Sequence, residues 1–413
     1  MSNICNNHHN NSHDLNFSNF PPIIDLANPD TEGVVKEIAN ACSEFGFFQV
    51  ISHEIPLDLL KEYSRQCRLY FGLPHDVKIQ WKRNEGNSRG FFDDELTKQR
   101  RDWKEALDFG VPGTRDWSVD DDHSSNQCLD GWNQLPSEEV LPNFRPTVTR
   151  YFDECSRLSD HIAIIMAKGI GQAETTPFIQ DLRENHSSYL RVNYYPICDD
   201  AVAEEEKKDR EHDTGKPLGI SPHYDAGFLT VLLQDDDCHS LQVWTKDEQW
   251  ITVSPTPGAL TINTGDMAQV WSNNRYKAPL HRVLTNKDKV RYSAPFFYNP
   301  SYRAKVGPLL LRNSDNNNKE EKPLYHPVLW GYFRAVRFAG DLTNLGVEIQ
   351  IDHFLIQEEN NDSKKTKKSS HHHLQRQEIF SKEADFSLPF SVEKYQSLLL
   401  SSFDNVNDNE NEN

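Results

Sequence analysis

The chain has 413 residues with 44 Lys and Arg against 63 Asp and Glu, a net charge of −19 with histidine neutral, and such an excess disfavours a nucleic-acid partner, whose affinity rests on phosphate contacts. The apolar class is 36 %, about 41 % with the 19 glycines counted, below the ~45–50 % usual for globular chains, so part of the length is expected to stay unfolded while the rest builds a large core. Seven scattered cysteines without a C-x-x-C argue against a disulfide framework or zinc knuckle, and no window of 18 apolar residues exists to form a transmembrane helix.

Taken in chain order, residues 1–18 read as a disordered tail. Met1 to Phe20 is rich in Asn, His and Ser and lacks the apolar stretch of a secretory signal, so a cytoplasmic protein with idle thiols is expected. An N-terminal α/β region follows over 19–135. Val34, Val35, Ile38, Ala41, Cys42 and Phe45 keep helical spacing, Gly46 to Ile51 reads as a strand, and Leu57 to Phe71 is a second amphipathic helix. Linking helices occupy 136–185, the long one over Phe144 to Ile170.

From 186 to 300 the texture changes to short β-branched and aromatic runs. These are Tyr189 to Tyr195, Phe228 to Gln234, Leu241 to Trp244, Ile251 to Val253, Ala259 to Asn263, Met267 to Trp271, Pro279 to Leu284 and Tyr292 to Tyr298. Many short strands at this spacing indicate a sandwich or jelly roll. A C-terminal extension covers 301–403, and a polar tail covers 404–413. The polar stretches Asp199 to Lys216, Asn313 to Lys322 and Gln357 to Gln377, the last with four lysines and three consecutive histidines, are expected to be disordered because they cannot offset their ordering entropy. The triple histidine is read as part of a solvated loop.

One constellation carries chemistry. In His223-Tyr224-Asp225 an imidazole and a carboxylate two residues apart share one face of a strand. Alone this is weak evidence. His281 follows 56 residues later, after enough strands to return the chain beside its start, and two histidines with one carboxylate on a single metal face leave three positions open, the pattern of non-haem Fe(II) oxygenases. A structural zinc site would require a fourth protein ligand, and none stands at suitable spacing. Beyond His281, Thr285 to Lys289 reads as a hairpin loop that returns Arg291 and Ser293 alongside it. Their guanidinium fork and hydroxyl suit a carboxylate bound in bidentate fashion.

With these residues in view, the sequence resembles the Fe(II)- and 2-oxoglutarate-dependent dioxygenases of the isopenicillin N synthase-like, plant-type branch. The likeness runs from about Pro21 to Phe354. Its markers are Pro22-Ile23-Ile24-Asp25-Leu26, Gly46-Phe47-Phe48-Gln49-Val50 with His53, Asn193-Tyr194-Tyr195-Pro196, His223-x-Asp225, Asn263-x-Gly265-Asp266, His281-Arg282-Val283 and Arg291-x-Ser293. The resemblance implies a mainly β fold with flanking helices: a double-stranded β-helix (jelly roll) core, an N-terminal α/β region and C-terminal helices.

It also implies that His223, Asp225 and His281 hold Fe(II), and that Arg291, Ser293, Tyr195 and Asn193 hold 2-oxoglutarate. O2 is the co-reactant, with ascorbate a candidate auxiliary reductant. Phe297, Phe91 and Phe92 match substrate-pocket positions. The implied reaction oxidises 2-oxoglutarate to succinate and CO2 while hydroxylating or desaturating a small, largely apolar metabolite, with no membrane or nucleic-acid partner and no obligate protein partner inferred. A related iron oxidase that does not use 2-oxoglutarate and a non-catalytic jelly-roll binding protein are the alternatives. His53-Glu54 departs from the usual His-Gly and changes turn chemistry there.

Overall fold

The computed structural model describes residues 20–84, 87–97, 100–111, 129–172, 176–183, 186–198, 218–311, 321–342, 349–356 and 364–386. Helix α1 (Thr31–Glu44) starts where the Asp30 carboxylate accepts the Gly33 amide at 2.9 Å, and it buries Val34, Ile38, Ala41 and Cys42. Next come α2 (Leu57–Phe71), the short α3 (His75–Lys78), α4 (Phe144–Gly169) and α5 (Pro177–Arg183). The Tyr and Phe stripes of α2 and α4 are mutual packing: Tyr63 stacks on Tyr151 at 3.9 Å and Tyr70 on Phe144 at 5.3 Å.

The strands are β1 (Ile23–Asp25), β2 (Phe47–Ile51), β3 (Gly90–Phe92), β4 (Leu96–Thr97), β5 (Arg100–Arg101), β6 (Glu105–Gly110), β7 (Tyr189–Tyr195), β8 (Leu218–His223), β9 (Leu229–Gln234), β10 (Leu241–Trp244), β11 (Trp250–Thr252), β12 (Leu260–Thr264), β13 (His281–Leu284), β14 (Arg291–Tyr298), β15 (Lys305–Val306) and β16 (Val328–Leu329). Eight of them form a large sheet, β1-β2-β12-β9-β14-β7-β6-β3, and four form a small one, β11-β10-β13-β8. The N-terminal strands extend both edges of the large sheet, β2 through β12 and β6 through β7. Helix α4 covers one face of that sheet through Phe152, which meets Phe296 edge-on at 4.9 Å. The opposite face looks across a cavity at the small sheet, whose β8, β10 and β13 supply its other wall. This is the expected mainly β architecture with flanking helices.

Four expectations change. Thr285 to Lys289 is no hairpin loop: β13 pairs with β10 and β8, whereas β14 pairs with β7 and β9, so the segment carries the chain from the small sheet to the large one. Arg291 therefore lies across the cavity from His281 rather than beside it. Met267 to Trp271 is helical, within α6 (Asp266–Trp271), because a short run buried on all sides carries no periodicity to separate helix from strand. The strand β8, which ends on His223, is absent from the runs that the sequence marks as strands, and Asp225 stands beyond its end rather than on one strand with His223.

The fourth change concerns 357–377. Lys364–Glu383 is helix α8, packed on α7 (Trp330–Leu342) and on the 3₁₀ turn Ile351–Phe354. Polar composition is misleading here, since a few side chains suffice to dock it. The His373 ring stacks on His353 at 4.9 Å and meets the Tyr332 hydroxyl through Nδ1 at 2.9 Å, Phe380 is buried, and Gln377 accepts the Leu329 amide at 2.9 Å and donates to the Pro327 carbonyl at 2.9 Å. Truncation after residue 363 is therefore expected to lower the melting temperature by several degrees; an unchanged melting curve would return this segment to the status of a tail. The expectations for 1–18, for Asp199 to Lys216, for 357–363 and for 404–413 lie outside the described residues, as does most of Asn313 to Lys322, of which Glu321 pairs with Arg275.

One backbone detail follows from the departure at His53-Glu54. Glu54 stands at φ 62°, where the family pattern has glycine, and its carboxylate reaches Arg157 at 3.1 Å. Buried imidazoles give the fold an acid sensitivity. Burial lowers His186 to about 4, and burial followed by the neighbouring His353 lowers His373 to about 3. Below about pH 6.5 the unfolded chain takes up protons that these folded imidazoles refuse, so each group withdraws stability as the pH falls toward 4, by up to ~1.4 kcal/mol per unit. The urea midpoint is expected to drop between pH 7.5 and pH 5, a window above the main carboxylate titrations, and a flat profile would contradict it.

Candidate metal centre and its cavity

His223 closes β8 and His281 opens β13, and the antiparallel register sets the two residues directly opposite one another. Asp225 follows two residues beyond the end of β8. Its Oδ1 lies 3.6 Å from Nε2 of each imidazole, and one ligand atom from each of the three side chains falls within 4.8 Å of the others. The second nitrogens are committed elsewhere. His223 Nδ1–H donates to the Ser221 carbonyl at 2.9 Å, and His281 Nδ1–H donates to the Pro279 carbonyl at 3.0 Å. Because a carbonyl only accepts, both rings are fixed in the tautomer that turns an Nε2 lone pair inward.

The carboxylate is divided in the same way. Thr230 Oγ1 donates to Asp225 Oδ2 at 2.6 Å and Asn263 Nδ2 donates to the same oxygen at 2.7 Å, leaving Oδ1 for the imidazoles. Burial alone would raise the Asp225 pKa; the imidazoles of His281 and His223 and these two donors hold it below the usual value. Burial, and then the adjacent His281, lower His223 to about 3, so the ring stays neutral and able to ligate. Two imidazoles with Nε2 turned inward and one carboxylate oxygen, each oriented from behind, fit a divalent iron on one face. Thr230→Val removes one of the two donors without changing side-chain volume. Fe(II) affinity is expected to fall roughly 10–100-fold with little change in melting temperature, and an anaerobic titration that matches the parent would show Thr230 to be idle.

Across the cavity, β7 and β14 set Arg291 opposite Tyr195 and Ser293 opposite Asn193. Arg291 is 1 % exposed, its Nη2 donates to Gln234 Oε1 at 3.2 Å, and its guanidinium lies 5.0 Å over the Tyr195 ring. Among the described residues Arg291 Nε and Nη1, Asn193 Oδ1 and the Tyr195 hydroxyl find no hydrogen-bond partner. A buried guanidinium with two donors left over is costly unless an anion arrives. The orphaned donors fit the distal carboxylate of a 2-oxo diacid whose other end reaches the metal.

The cavity is lined by His223, Asp225, His281, Arg291, Ser293, Asn193, Tyr195 and Phe297, so eight of the ten residues singled out in the sequence share it. Phe91 and Phe92 are the exceptions. They are fully buried and absent from the lining; Phe92 packs between the guanidiniums of Arg83 at 3.8 Å and Arg191 at 4.9 Å. Phe92 thus lies behind the wall, against Arg191, which does reach the cavity. Phe297 stacks on Tyr189 at 4.6 Å.

Sequence reasoning missed Thr230, which lacks any motif, and the charged lining residues Glu95, Lys104, Arg191, Arg334 and Arg337. Arg191 alone had a signal, because it precedes Asn193 by two residues on a strand and must share its face.

Comparison with known proteins agrees with this geometry. Residues 186–300 match the model of the 2OG-Fe(II) oxygenase superfamily, and residues 21–138 match that of the non-haem dioxygenase in morphine synthesis N-terminal family. Jasmonate-induced oxygenase 2 of Arabidopsis thaliana is 32 % identical over 80 % of this chain and 82 % of its own length, and gibberellin 2-beta-dioxygenase 8 of the same plant is 31 % identical over 81 % and 84 %. Among solved structures, JOX2 in complex with 2OG, Fe and JA superposes with a TM-score of 0.60 at 31 % identity, covering 76 % of this chain and 83 % of that one. The dioxygenase for auxin oxidation in rice gives 0.57 at 23 % identity over 77 % and 95 %, a likeness of fold.

Proposed function

The chain belongs to the 2OG-Fe(II) oxygenase superfamily and is an oxidoreductase of the plant-type dioxygenase branch with a jelly-roll core, and from that premise we propose that His223, Asp225 and His281 bind Fe(II) while Arg291, Ser293, Asn193 and Tyr195 bind 2-oxoglutarate. The enzyme uses Fe(II), 2-oxoglutarate and O2 and acts on a small molecule, with succinate and CO2 as coproducts. The observation that carries the residue roles is the pairing of an inward-turned His-Asp-His set with a buried arginine whose Nε and Nη1 lack partners across the same cavity.

Bound iron would supply the oxidising power that breaks a substrate C–H bond. The chain's own part is positional. The Ser221 and Pro279 carbonyls retain the Nδ1 protons, Thr230 and Asn263 hold one carboxylate oxygen away, and Arg291 with Ser293 fixes the far end of the diacid. Phe47, edge-on to His281 at 5.6 Å, together with Leu232, Leu241 and Val283, keeps the metal side apolar and excludes water from the reacting groups.

Use of 2-oxoglutarate rather than another reductant is favoured by the two orphaned donors of Arg291, which a monoanion without a distal carboxylate would leave unmet. The regions 19–135, 136–185, 186–300 and 301–403 are retained as the proposed division of the chain. Buried thiols at the five described cysteines suit a reducing, cytoplasmic setting. No described helix is long and apolar enough to cross a membrane. The direct test is metabolite screening of the Fe(II)-loaded protein by succinate release. Succinate formed in step with a modified metabolite is expected, and substrate oxidation without 2-oxoglutarate consumption would favour the oxidase alternative.

A further inference from the structure

Resting on the 2-oxoglutarate oxygenase reading, we propose that the cavity end remote from Arg291 is a carboxylate subsite built from Arg191 and Arg334, and that the molecule oxidised is an acid held there by its anionic end. On β7 the side chains of Tyr189, Arg191, Asn193 and Tyr195 all line the cavity. Arg291 faces Tyr195 at one end and Phe297 faces Tyr189 at the other. At ~3.3 Å per residue, Arg191 is displaced about 13 Å along the strand from the Tyr195 level. One five-carbon diacid cannot occupy both arginines while reaching the metal.

The charges at this end are arranged with a direction. Lys104, Arg191, Arg334 and Arg337 line the cavity, whereas Asp102, Asp108 and Asp130, which answer three of them, do not. Asp108 grips Arg191 Nε at 2.7 Å, Asp130 lies 3.5 Å from Arg334 Nε, and Asp102 lies 3.0 Å from Lys104. Among the described residues Glu95 is the one carboxylate of this end that reaches the lining, and it is held by Lys104 at 2.6 Å and Arg191 at 3.0 Å. The carboxylates thus steady the cations from behind and leave a positive face toward the ligand. The Tyr189 ring gathers the guanidiniums, with Arg334 at 5.0 Å and Arg191 at 5.9 Å, while Phe297 stacks on it. Phe297, Pro295 and Trp330 then offer an apolar path from the cations toward the metal. Such walls fit a hydrocarbon body with one carboxylate better than the largely apolar metabolite expected from sequence.

Calorimetric titration of the full chain, anaerobic with Fe(II) and 2-oxoglutarate, with cinnamic acid, dodecanoic acid and their methyl esters, tests this. At least one acid is expected to bind 10-fold or more tightly than its ester. Arg334→Gln is expected to erase that preference and leave the dissociation constant of 2-oxoglutarate unchanged. Arg334→Lys, which keeps a charge opposite Asp130, is expected to restore part of it and keeps the test readable if the glutamine variant fails to fold. Equal binding of acids and esters, no acid bound by the parent protein, or a preference that survives Arg334→Gln would overturn the subsite. Failure of the parent to bind 2-oxoglutarate would instead overturn the underlying reading.

Discussion

Asp225→Asn is expected to strip the protein of Fe(II) and of turnover, by 10³-fold or more, while leaving it folded. The substitution is isosteric, so its effect comes from what an amide can offer. Thr230 Oγ1 and Asn263 Nδ2 both donate to Oδ2, so the amide oxygen is drawn to that side and the NH2 group turns toward the two Nε2 lone pairs. There it donates to the imidazoles and occupies the place of the metal. A buried carboxylate whose charge burial opposes is also gone, so the melting temperature of the metal-free variant is expected to match or exceed that of the metal-free parent. Metal analysis after anaerobic loading and gel filtration decides it: iron bound at parental stoichiometry would remove Asp225 from the ligand set, and with it the proposed role of the pair on β8 and β13.

How far this site could be read from the chain depends on how each residue is brought in. His223 and Asp225 are two apart, and that short spacing keeps them together even though β8 ends at His223 and Asp225 is not on the strand as expected; His281 required only that enough strands intervene for the chain to return. Arg291 was placed in the right cavity by the wrong route. A short polar loop between two β-rich runs reads as a hairpin, yet β13 and β14 belong to different sheets, and local turn chemistry says nothing of that. The crossover is what gives the cavity two walls. The cationic end was illegible for a different reason: Lys104, Arg191 and Arg334 arrive from 104, 191 and 334, with no spacing between them to recognise. Helix α8 escaped because composition predicts whether a segment can bury a core of its own, whereas this one needs only His373, Gln377 and Phe380 against surfaces made by others.

Arg291→Lys is expected to raise the KM for 2-oxoglutarate by roughly 10–100-fold, equivalent to about 1.4–2.7 kcal/mol, with iron content unchanged. The two residues share a charge, so the loss isolates geometry. In the parent, Gln234 takes Nη2 and fixes the plane of the guanidinium, the Tyr195 ring lies under it, and Nε and Nη1 are left as a fork. A carboxylate meets that fork with two parallel hydrogen bonds, whereas an ammonium on a shorter, freely rotating stem supplies one point of charge and leaves Gln234 Oε1 without its donor. Because Arg291 lies on β14, across the cavity from the imidazoles, metal binding is not expected to follow the change. At saturating 2-oxoglutarate kcat is expected to recover most of its value, since His223, Asp225 and His281, which would hold the iron that takes the keto acid end, are unchanged. Succinate formation measured against 2-oxoglutarate concentration separates the two constants. A KM that stays at the parental value would mean that the distal carboxylate rests elsewhere, and the fork of Arg291 would then need another anion to explain its burial.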